Sequence, residues 1–326
     1  MFFGGITGSA VADASSIGSI MIPMMKKKGY DNDYSVGVTC TASIQGVIIP
    51  PSHNVILYSL AAGGVSISAL FMAGVVPGIL LALVLMFTSY LMAVKRRYPK
   101  GEPIPKEMWR PILIQGALSL TTALIIIGGV IAGIFTANES AAIAVLYALV
   151  LVLFVFREIT WKKGFHIFIE TFRKLSAVLF LIAASAAFSH FLSLLQIPNQ
   201  AMMALMSISA NKYVILLMIN VILLLLGCVM DMAPLILIAT PVLLPVVTQL
   251  GMDPVQFGIM LMLNLGIGLL TPPVGSALFV GCAIGGITME RATKAMVPFL
   301  AGMLVVLLLI TYIPDITLFL PNRFAH

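Results

Sequence analysis

Oxygen-bearing residues crowd the start of the chain, where glycines alternate with hydroxyl side chains. The segment GITGSAVAD contains Thr7 and Ser9, and Asp13 opens the apolar stretch that follows. Glycines such as Gly4 interrupt helices and leave backbone carbonyls without partners. Free carbonyls and hydroxyls suit a hard monovalent cation, whereas the amino end of a helix favours a carboxylate. The segment therefore predicts a site for a cation and an organic anion; the alternative is a surface loop rich in glycine and serine.

Two proline pairs interrupt apolar stretches. The first lies in QGVIIPPSHN, residues 45–54, and the second in IGLLTPPVG, residues 267–275. Proline lacks an amide hydrogen and disfavours helix in the residue before it, so each pair forces extended backbone between two half-helices. We expect each interruption to free carbonyls just before the prolines, those of Gly46, Val47, Ile49, Gly268, Leu269 and Thr271. Carbonyls at an unwound centre bind cations; a simple proline kink is the alternative.

A further carboxylate lies in a polar turn between two short apolar stretches. Asp231 stands in MDMAP, flanked by residues 213–228 and 233–249. Short limbs around a polar turn are typical of a re-entrant hairpin. An ionisable group at membrane depth is a functional-site hypothesis, because its burial is costly. Two alternatives stay open: Asp13 and Asp231 cap helices, or they form the acid pair of an intramembrane aspartyl protease.

The two proline pairs belong to a repeat that covers much of the chain. The segment GYDNDYSVGVTCTASIQGVIIPPS begins at Gly29 and aligns without a gap with GMDPVQFGIMLMLNLGIGLLTPPV, which begins at Gly251. Matches at this separation of 222 positions are mostly glycine or proline. They are Gly5, Pro23, Gly29, Asp31, Gly46, Pro50, Pro51, Ala61, Gly63, Gly64 and Ala73, paired in order with Gly227, Pro245, Gly251, Asp253, Gly268, Pro272, Pro273, Ala283, Gly285, Gly286 and Ala295. Paired, interrupted apolar segments in two halves point to the binding site of a membrane transporter.

The composition places the chain in a membrane. It is 60% hydrophobic and 9% charged, with a mean hydropathy of +1.11, far outside the range of soluble domains. The net charge of +6 is carried by short basic clusters at 26–28, 95–97, 162–163 and 173–174. Such clusters are typical of cytoplasmic loops that face anionic lipid. No soluble basic domain is available for nucleic acid, so that class of partner is excluded.

The apolar runs and the basic clusters together predict the topology. Continuous runs fall at 69–94, 112–135, 139–156, 175–197 and 296–319, and the segments 32–64 and 254–287 are interrupted near their middles. Placing every basic cluster on the cytoplasmic side gives five crossings between Gly29 and Gly251. Because five is odd, the two repeats are predicted to be inverted relative to each other.

The expected fold is an all-α polytopic membrane protein of inverted repeats, each with a re-entrant hairpin and a discontinuous transmembrane helix. We expect one transport domain over 1–326, with a first repeat at 1–77, connecting helices at 78–173 and a second repeat at 174–326. Two long apolar stretches precede the second hairpin turn, whereas the first repeat begins within a few residues of the start. We therefore expect that an amino-terminal part of the protein is missing from this sequence.

Four motifs resemble the large membrane subunit of tripartite ATP-independent periplasmic (TRAP) transporters, the DctM-like family. They are GITGSAVADASSIGSIMIPMM, IFTANESAA, MDMAPLILIATPVLLP and GIGLLTPPVGSALFV, and the resemblance covers essentially the whole chain. It implies a sodium-coupled importer of an organic anion, of the C4-dicarboxylate, sialic acid or sugar-acid type, that works by an elevator motion in the bacterial inner membrane. The implied partners are a small four-helix membrane subunit and a periplasmic binding protein. Na⁺ would be the coupling ion, with no transition metal, no other cofactor and no enzymatic activity.

The resemblance also assigns site residues. The first sodium site would use Gly4, Thr7, Gly46, Ile49 and Pro51, and the second Gly227, Gly268, Thr271 and Val274, mostly through backbone carbonyls. The substrate would contact Thr7, Ser9, Asp13, Ser52 and Asp231. Many family members carry serine or cysteine where this chain has Ile6-Thr7, and a threonine hydroxyl can also coordinate a cation.

Other classes explain less of the sequence. An aspartyl protease would need YD and GxGD contexts around its acids, which are absent, and it leaves the repeated glycines and prolines unexplained. A passive channel or a structural scaffold does not need two interrupted helices in inverted repeats, whereas alternating access does. His53, within the first unwound stretch, is interpreted as a lining residue rather than a proton relay.

Overall fold

The computed structural model describes residues 8–99, 134–156 and 160–324, with single residues and short stretches between 109 and 129. The first part contains α1 (Ala10–Lys27), α2 (Asn32–Ser43), α3 (Gln45–Ile48), α4 (His53–Ala61) and α5 (Ile67–Lys95). The connecting part contains α6 (Ala137–Val150), which continues into a π-helical turn (Leu151–Val155), and α7 (Trp161–Leu194). The last part contains α8 (Ile197–Ile208), α9 (Lys212–Gly227), α10 (Met232–Gln249), α11 (Pro254–Gly268), α12 (Ser276–Gly285), α13 (Met289–Tyr312) and α14 (Pro314–Phe324).

Five of these helical segments are long and apolar enough to cross a membrane. They are α5, α6 with its π-helical turn, α7, α10 and α13, and the described residues contain no strand. The predicted all-α polytopic class is therefore confirmed. The predicted interruptions are also present, because 49–52 separate α3 from α4 and 269–275 separate α11 from α12. The predicted run 112–135 lies largely outside the described residues.

Three helices differ from the sequence prediction. The helix predicted over 175–197 begins earlier, at Trp161, because residues 161–174 alternate polar and apolar faces and so escape a search for continuous apolar runs. The helix α8 was not predicted, and it meets α9 at an angle of 118°. The run 296–319 is two helices, since Pro314 cannot donate to the preceding turn and Ile313 is extended (φ −118°, ψ 93°).

The spacing of 222 residues found in the sequence also separates the first residues of equivalent helices. Each of α1, α2 and α5 begins 222 positions before its counterpart α10, α11 or α13. The turns after α1 and α10 pass through Gly29 and Gly251, whose φ values of 86° and 84° are readily adopted only by glycine. Ser66 and Thr288, also equivalent, cap α5 and α13 by accepting from backbone amides three residues on. The repeat in the sequence is thus a repeat of caps and turns.

The two interrupted helices run antiparallel to each other. The Asn32 side chain, at the start of α2, donates to the Gly285 carbonyl at the end of α12, at 2.7 Å. On the other side, the Tyr58 hydroxyl, near the end of α4, donates to the Pro254 carbonyl at the start of α11. Each interrupted helix therefore begins beside the end of the other. This is the geometry that inverted repeats require.

A charged cluster ties the first repeat together at one end. Arg96, just after α5, lies 3.0 Å from Asp31 and donates to both carboxylate oxygens of Asp33, at 2.9 and 3.1 Å. The Tyr98 hydroxyl donates to Asp31 at 2.7 Å; burial and this carboxylate raise the pKa of Tyr98 to about 12, so the phenol keeps its proton at neutral pH. The second repeat lacks the cluster, since Asp253, the equivalent of Asp31, caps α11 instead. The cluster holds the end of α5 against the start of α2.

The inverted arrangement gives a prediction for membrane sidedness. Lys27 and Gln249 are the last residues of the equivalent helices α1 and α10, so they should face opposite sides. We expect a cysteine placed at 249 to react with a membrane-impermeant thiol reagent on intact cells, and a cysteine at 27 to react only after permeabilisation. The background lacks the native Cys40, Cys228 and Cys282. Equal reactivity of the two positions in intact cells would contradict the inversion.

Candidate functional site

The second unwound centre is joined backbone to backbone to the turn between α9 and α10. A Cβ atom on Gly268 would lie 2.6 Å from the carbonyl carbon of Gly227, so only glycine allows this approach. After the proline pair, the Val274 amide donates to the Cys228 carbonyl at 3.0 Å. Three of the four residues predicted for the second sodium site are therefore in or beside one contact. The fourth, Thr271, lies in the same loop.

The carbonyls near this centre are not all free. The Gly268 carbonyl accepts from the Thr271 amide at 3.0 Å and from its hydroxyl at 3.1 Å. The Leu269 carbonyl accepts from the amides of Ala277 and Leu278 at 3.2 and 3.3 Å. Both carbonyls lack the donors four residues on, as expected, because those residues are Pro272 and Pro273; a tight turn and the start of α12 supply other amides instead. A carbonyl oxygen has two lone pairs and each of these two accepts from two donors, so a cation at either one would have to replace a hydrogen bond.

The first unwound centre is supported from two sides. Gly8, at φ 63°, touches it from the start of α1, since a Cβ atom there would lie 2.9 Å from the Pro51 carbonyl oxygen. On the other side, Gly74 of α5 approaches the Ile48 carbonyl oxygen so closely that a Cβ atom would lie 2.3 Å away. Ile49 is extended, with φ −77° and ψ 130°, so the helix stops there as the proline pair predicts. These two glycines thus allow the start of α1 and the helix α5 to pack closely against this stretch of backbone.

A cavity of about 230 Å³ lies between the two centres. It is lined by Ser9, Ala10, Val11, His53, Asn54, Asp231, Met232, Ala233, Leu269 and Ser276. Most of these residues form equivalent pairs of the two repeats. Shifting by 222 positions superposes the pairs Ser9 and Asp231, Ala10 and Met232, Val11 and Ala233, and Asn54 and Ser276. The cavity therefore lies on the pseudo-twofold axis, where transporters of repeat architecture place their substrate site.

Four helices begin at this cavity. They are α1, α4, α10 and α12, whose first residues supply seven of the ten lining positions; Ser9 and Asp231, the residues just before α1 and α10, supply two more. The amino end of each helix has amides without intrahelical partners and a partial positive charge. Converging amino ends make the cavity favourable for an anionic group. This field comes from the backbone, so no lysine or arginine is needed among the lining residues.

Asp231 is the acidic side chain that lines the cavity. It occupies the position before α10 with extended backbone (φ −72°, ψ 157°), but its side chain makes no capping hydrogen bond. The Ser276 hydroxyl, from the start of α12, lies 3.4 Å from Asp231 Oδ1. Asp231 therefore occupies the capping position of α10, but its side chain does not cap the helix. The carboxylate instead faces the cavity, where it can accept from a substrate hydroxyl or help to neutralise a cation.

Of the other described residues predicted to contact the substrate, only one lines the cavity. Ser9 lines the cavity and caps α1 by accepting from the Ala12 amide. Asp13 is fully buried in the first turn of α1 and does not line the cavity. Ser52 is also fully buried, beside Gly8 in the first unwound centre. Gly4 and Thr7, predicted for the first sodium site, lie outside the described residues.

Sequence reasoning missed two polar lining residues, Asn54 and Ser276. Each is a polar residue in the first turn of the half-helix that follows a proline pair, and the two are equivalent in the repeat. The repeat register could have identified them, since it pairs position 54 with position 276. They were overlooked because the matches that defined the register were mostly glycines and prolines rather than polar residues. The same register pairs Asp231 with Ser9 rather than with Asp13.

A buried network of side-chain hydrogen bonds lies beside the second unwound centre. The Asn264 side chain of α11 donates to the Asn220 side-chain oxygen of α9 at 2.9 Å, and Asn220 donates to the Thr311 hydroxyl of α13 at 3.2 Å. All three side chains are buried. Interhelical hydrogen bonds in membrane proteins contribute about 1 kcal/mol each. The network holds α9 against α11 within two turns of the Gly227–Gly268 contact.

The glycine on α5 gives a second prediction. We expect Gly74→Ala to lower the melting temperature and to impair any cation binding at the first unwound centre, because the new Cβ atom would collide with the Ile48 carbonyl oxygen, a backbone atom that cannot rotate away. Gly128→Ala is the matched control, since no atom of the described residues lies within 4 Å of its Cβ position. Thermal unfolding in detergent measures both. Equal melting temperatures for the two variants would show that α5 does not pack closely against the Ile48 carbonyl.

Comparison with known proteins agrees with this architecture. The family model described as "Tripartite ATP-independent periplasmic transporter, DctM component" matches residues 1–316. The chain is 44% identical to uncharacterized protein YgiK of Salmonella typhimurium, over 99% of this chain and 74% of that protein. It is 38% identical to the isethionate TRAP transporter permease protein DctMQ of Oleidesulfovibrio alaskensis, over 98% of this chain and 50% of that protein.

A third relative is the C4-dicarboxylate TRAP transporter large permease protein DctM of Pseudomonas aeruginosa. The chain is 35% identical to it over 99% of this chain and 75% of that protein. These similarities extend across the repeats, the unwound centres and the cavity, and a match to a transporter family over nearly the whole chain rules out the protease interpretation. With its apolar helices, interrupted repeats and family match in agreement, the chain belongs to the DctM family, the large permease components of TRAP transporters, which are multi-pass proteins of the bacterial inner membrane and not enzymes.

Proposed function

We propose that this chain carries a small organic anion across the inner membrane in symport with sodium, receiving it from a periplasmic binding protein. The observation that carries the proposal is the cavity on the pseudo-twofold axis, onto which four helix amino ends converge. The relatives named for isethionate and for C4-dicarboxylates differ in their acidic groups but share negative charge. A cavity whose attraction comes from backbone amides suits either acidic group.

Sodium coupling is supported by what lies beside the cavity. The carboxyl ends of α9 and α11 meet at Gly227 and Gly268, and the Thr271 hydroxyl lies next to them. Helix carboxyl ends carry a partial negative charge and favour cations. The first unwound centre offers Gly46, Ile49 and Pro51 in the equivalent place. Anion and cation sites would then share the same loops, so that binding of one favours binding of the other.

An elevator motion is supported by the interlocked interrupted helices. The reciprocal contacts of Asn32 with Gly285 and of Tyr58 with Pro254 tie the two repeats into one unit around the cavity. A unit held from both ends can move as a rigid body and carry the cavity with it. A small four-helix membrane subunit of the kind that the TRAP family implies would anchor the stationary part, and the binding protein would deliver the substrate.

The test of the proposal has two parts. In detergent, we expect Na⁺ but not K⁺ to raise the melting temperature of the protein, because an ion that binds only the folded state stabilises it by roughly 2.7 kcal/mol at a hundredfold excess over its dissociation constant. In proteoliposomes with the small subunit, we expect uptake of a binding-protein-bound organic anion to require an inward sodium gradient.

The two parts have separate outcomes. Equal melting shifts in NaCl and KCl would remove dedicated sodium sites from the proposal. Uptake that proceeds without the binding protein, or that follows a potassium gradient equally well, would contradict the coupled and delivered transport. Choline chloride at the same ionic strength controls for screening of surface charge.

A further inference from the structure

The half-helices α4 and α12 begin at the same cavity, but the side chains at their amino ends differ. In the 222-residue register, residues 52–54 (SHN) correspond to residues 274–276 (VGS). The first set carries a hydroxyl, an imidazole and an amide, whereas the second set carries a single hydroxyl. His53, Asn54 and Ser276 line the cavity. The helices therefore keep the pseudo-twofold symmetry of the cavity, and the side chains break it.

The charges around the cavity are also unequal. Asp231 lies at the amino end of α12, where the Ser276 hydroxyl is 3.4 Å from its Oδ1, and its equivalent in the first repeat is the uncharged Ser9. His53 is the first residue of α4, whose first turn contains no acidic residue. Asp13 lies in the first turn of α1, but it is fully buried and does not line the cavity. Among the described lining residues, the single carboxylate therefore lies beside α12.

An acidic group of a substrate would meet opposite conditions at these two helix ends. At α12 the Asp231 carboxylate would repel it and offset the partial positive charge of the helix. At α4 the capping position makes no side-chain hydrogen bond to the first amides, and the side chains of His53 and Asn54 can both donate. A carboxylate such as that of Asp231 only accepts, so it suits a substrate hydroxyl.

A buried hydroxyl at the amino end of α4 favours the same assignment. Ser52, which immediately precedes His53, is fully buried, and its Oγ has no hydrogen-bond partner among the described residues. Leaving a buried hydroxyl unpaired destabilises a protein. The equivalent residue of the second repeat, Val274, has no hydroxyl. An acidic group bound at the amino end of α4 would supply the acceptor that Ser52 lacks.

We propose that the acidic group of the substrate binds at the amino end of α4, where His53 is the specificity-determining residue, and that a hydroxyl of the substrate binds Asp231 at the amino end of α12. This assignment rests on the proposed transport of an organic anion and adds the orientation of the anion in the cavity. The Asp231 carboxylate lies within electrostatic range of the His53 ring, so one small molecule can contact both. The class that fits is an acid with a hydroxyl at its other end.

The test measures binding of two pairs of probes to the full chain by isothermal titration calorimetry in NaCl. The pairs are isethionate with ethanesulfonate and 4-hydroxybutanoate with butanoate, whose members share an acidic group and differ by one hydroxyl. We expect H53A to weaken both members of a pair by the same factor, roughly tenfold, because both place their acidic group at α4. The D231A variant should instead abolish the preference for the hydroxylated member without weakening the other.

Two further variants separate binding from folding. Ser52→Ala removes an unpaired buried hydroxyl, so it should raise the melting temperature of the ligand-free protein and yet weaken binding of all four probes. His190→Ala is the matched control for H53A, since His190 is exposed on α7 and does not line the cavity. It should leave the four affinities unchanged.

The opposite pattern would overturn the proposal: a loss of the hydroxyl preference in H53A and an equal weakening of both members in D231A would place the acidic group at α12. Failure of all four probes to bind the wild type would overturn it as well. Sodium-dependent melting of the same samples keeps this result apart from the proposed function. If the sodium shift is present and the binding pattern is absent, the orientation alone is wrong, whereas loss of the sodium shift in the wild type contradicts the coupled transport.

Discussion

Replacing Gly268 by alanine is expected to reduce sodium-dependent uptake to background, a loss on the order of a hundredfold, while the protein still inserts. A Cβ atom at this position would lie 2.6, 2.7 and 2.8 Å from the carbonyl carbon, Cα and carbonyl oxygen of Gly227. These are backbone atoms, so α9 and α11 would have to move apart. Functional sites tolerate displacements of only about 0.5 Å. Uptake in proteoliposomes and sodium-dependent melting measure the effect together.

The graded control is Gly227→Ala on the other side of the same contact. Its Cβ atom would lie 3.3 Å from the Gly268 Cα, a distance that a small shift can relieve. We therefore expect a clearly smaller loss for this variant. A reversed order, or normal uptake by the Gly268 variant, would show that the close approach of α9 to α11 does not position the ion.

The second large effect is expected from Asp231→Asn, which keeps the size of the side chain and removes its charge. Asp231 lines the cavity at the start of α10, where its carboxylate is available to substrate or cation. Hydrogen bonds to charged groups contribute about 1.5–3 kcal/mol, so we expect uptake to fall roughly 10- to 100-fold. Insertion should be intact, since a neutral amide costs less in a membrane than a carboxylate.

Asp253→Asn is the matched control for this change. Asp253 stands at the same place before α11, where its side chain accepts from the Val255 amide at 2.7 Å, and it does not line the cavity. Asparagine caps helices as well as aspartate does, so uptake by this variant should stay near the wild-type value. If both variants lose uptake equally, the effect of Asp231 comes from helix capping and not from the cavity.

Backbone-directed residues made the architecture predictable from the sequence. Gly29 and Gly251 turn the chain because glycine adopts their φ values of 86° and 84° without strain, and each proline pair breaks its helix. Such effects are local, so their spacing of 222 residues revealed the repeat without any knowledge of contacts. Hydrophobicity likewise identified the membrane class and most of the helices. The amphipathic start of α7 escaped because its apolar residues are periodic rather than continuous.

The sequence by itself therefore determined the class, the repeat and the two unwound centres. Only the tertiary structure decided which polar groups meet: that Ser9 rather than Asp13 is opposite Asp231, that Asn54 and Ser276 join them, and that Asn264 reaches Asn220. It also decided that the Gly268 and Leu269 carbonyls find donors despite the prolines. The physical reason is that helix breaks depend on neighbours along the chain, whereas these contacts depend on how antiparallel helices dock at glycine surfaces, which no local pattern records.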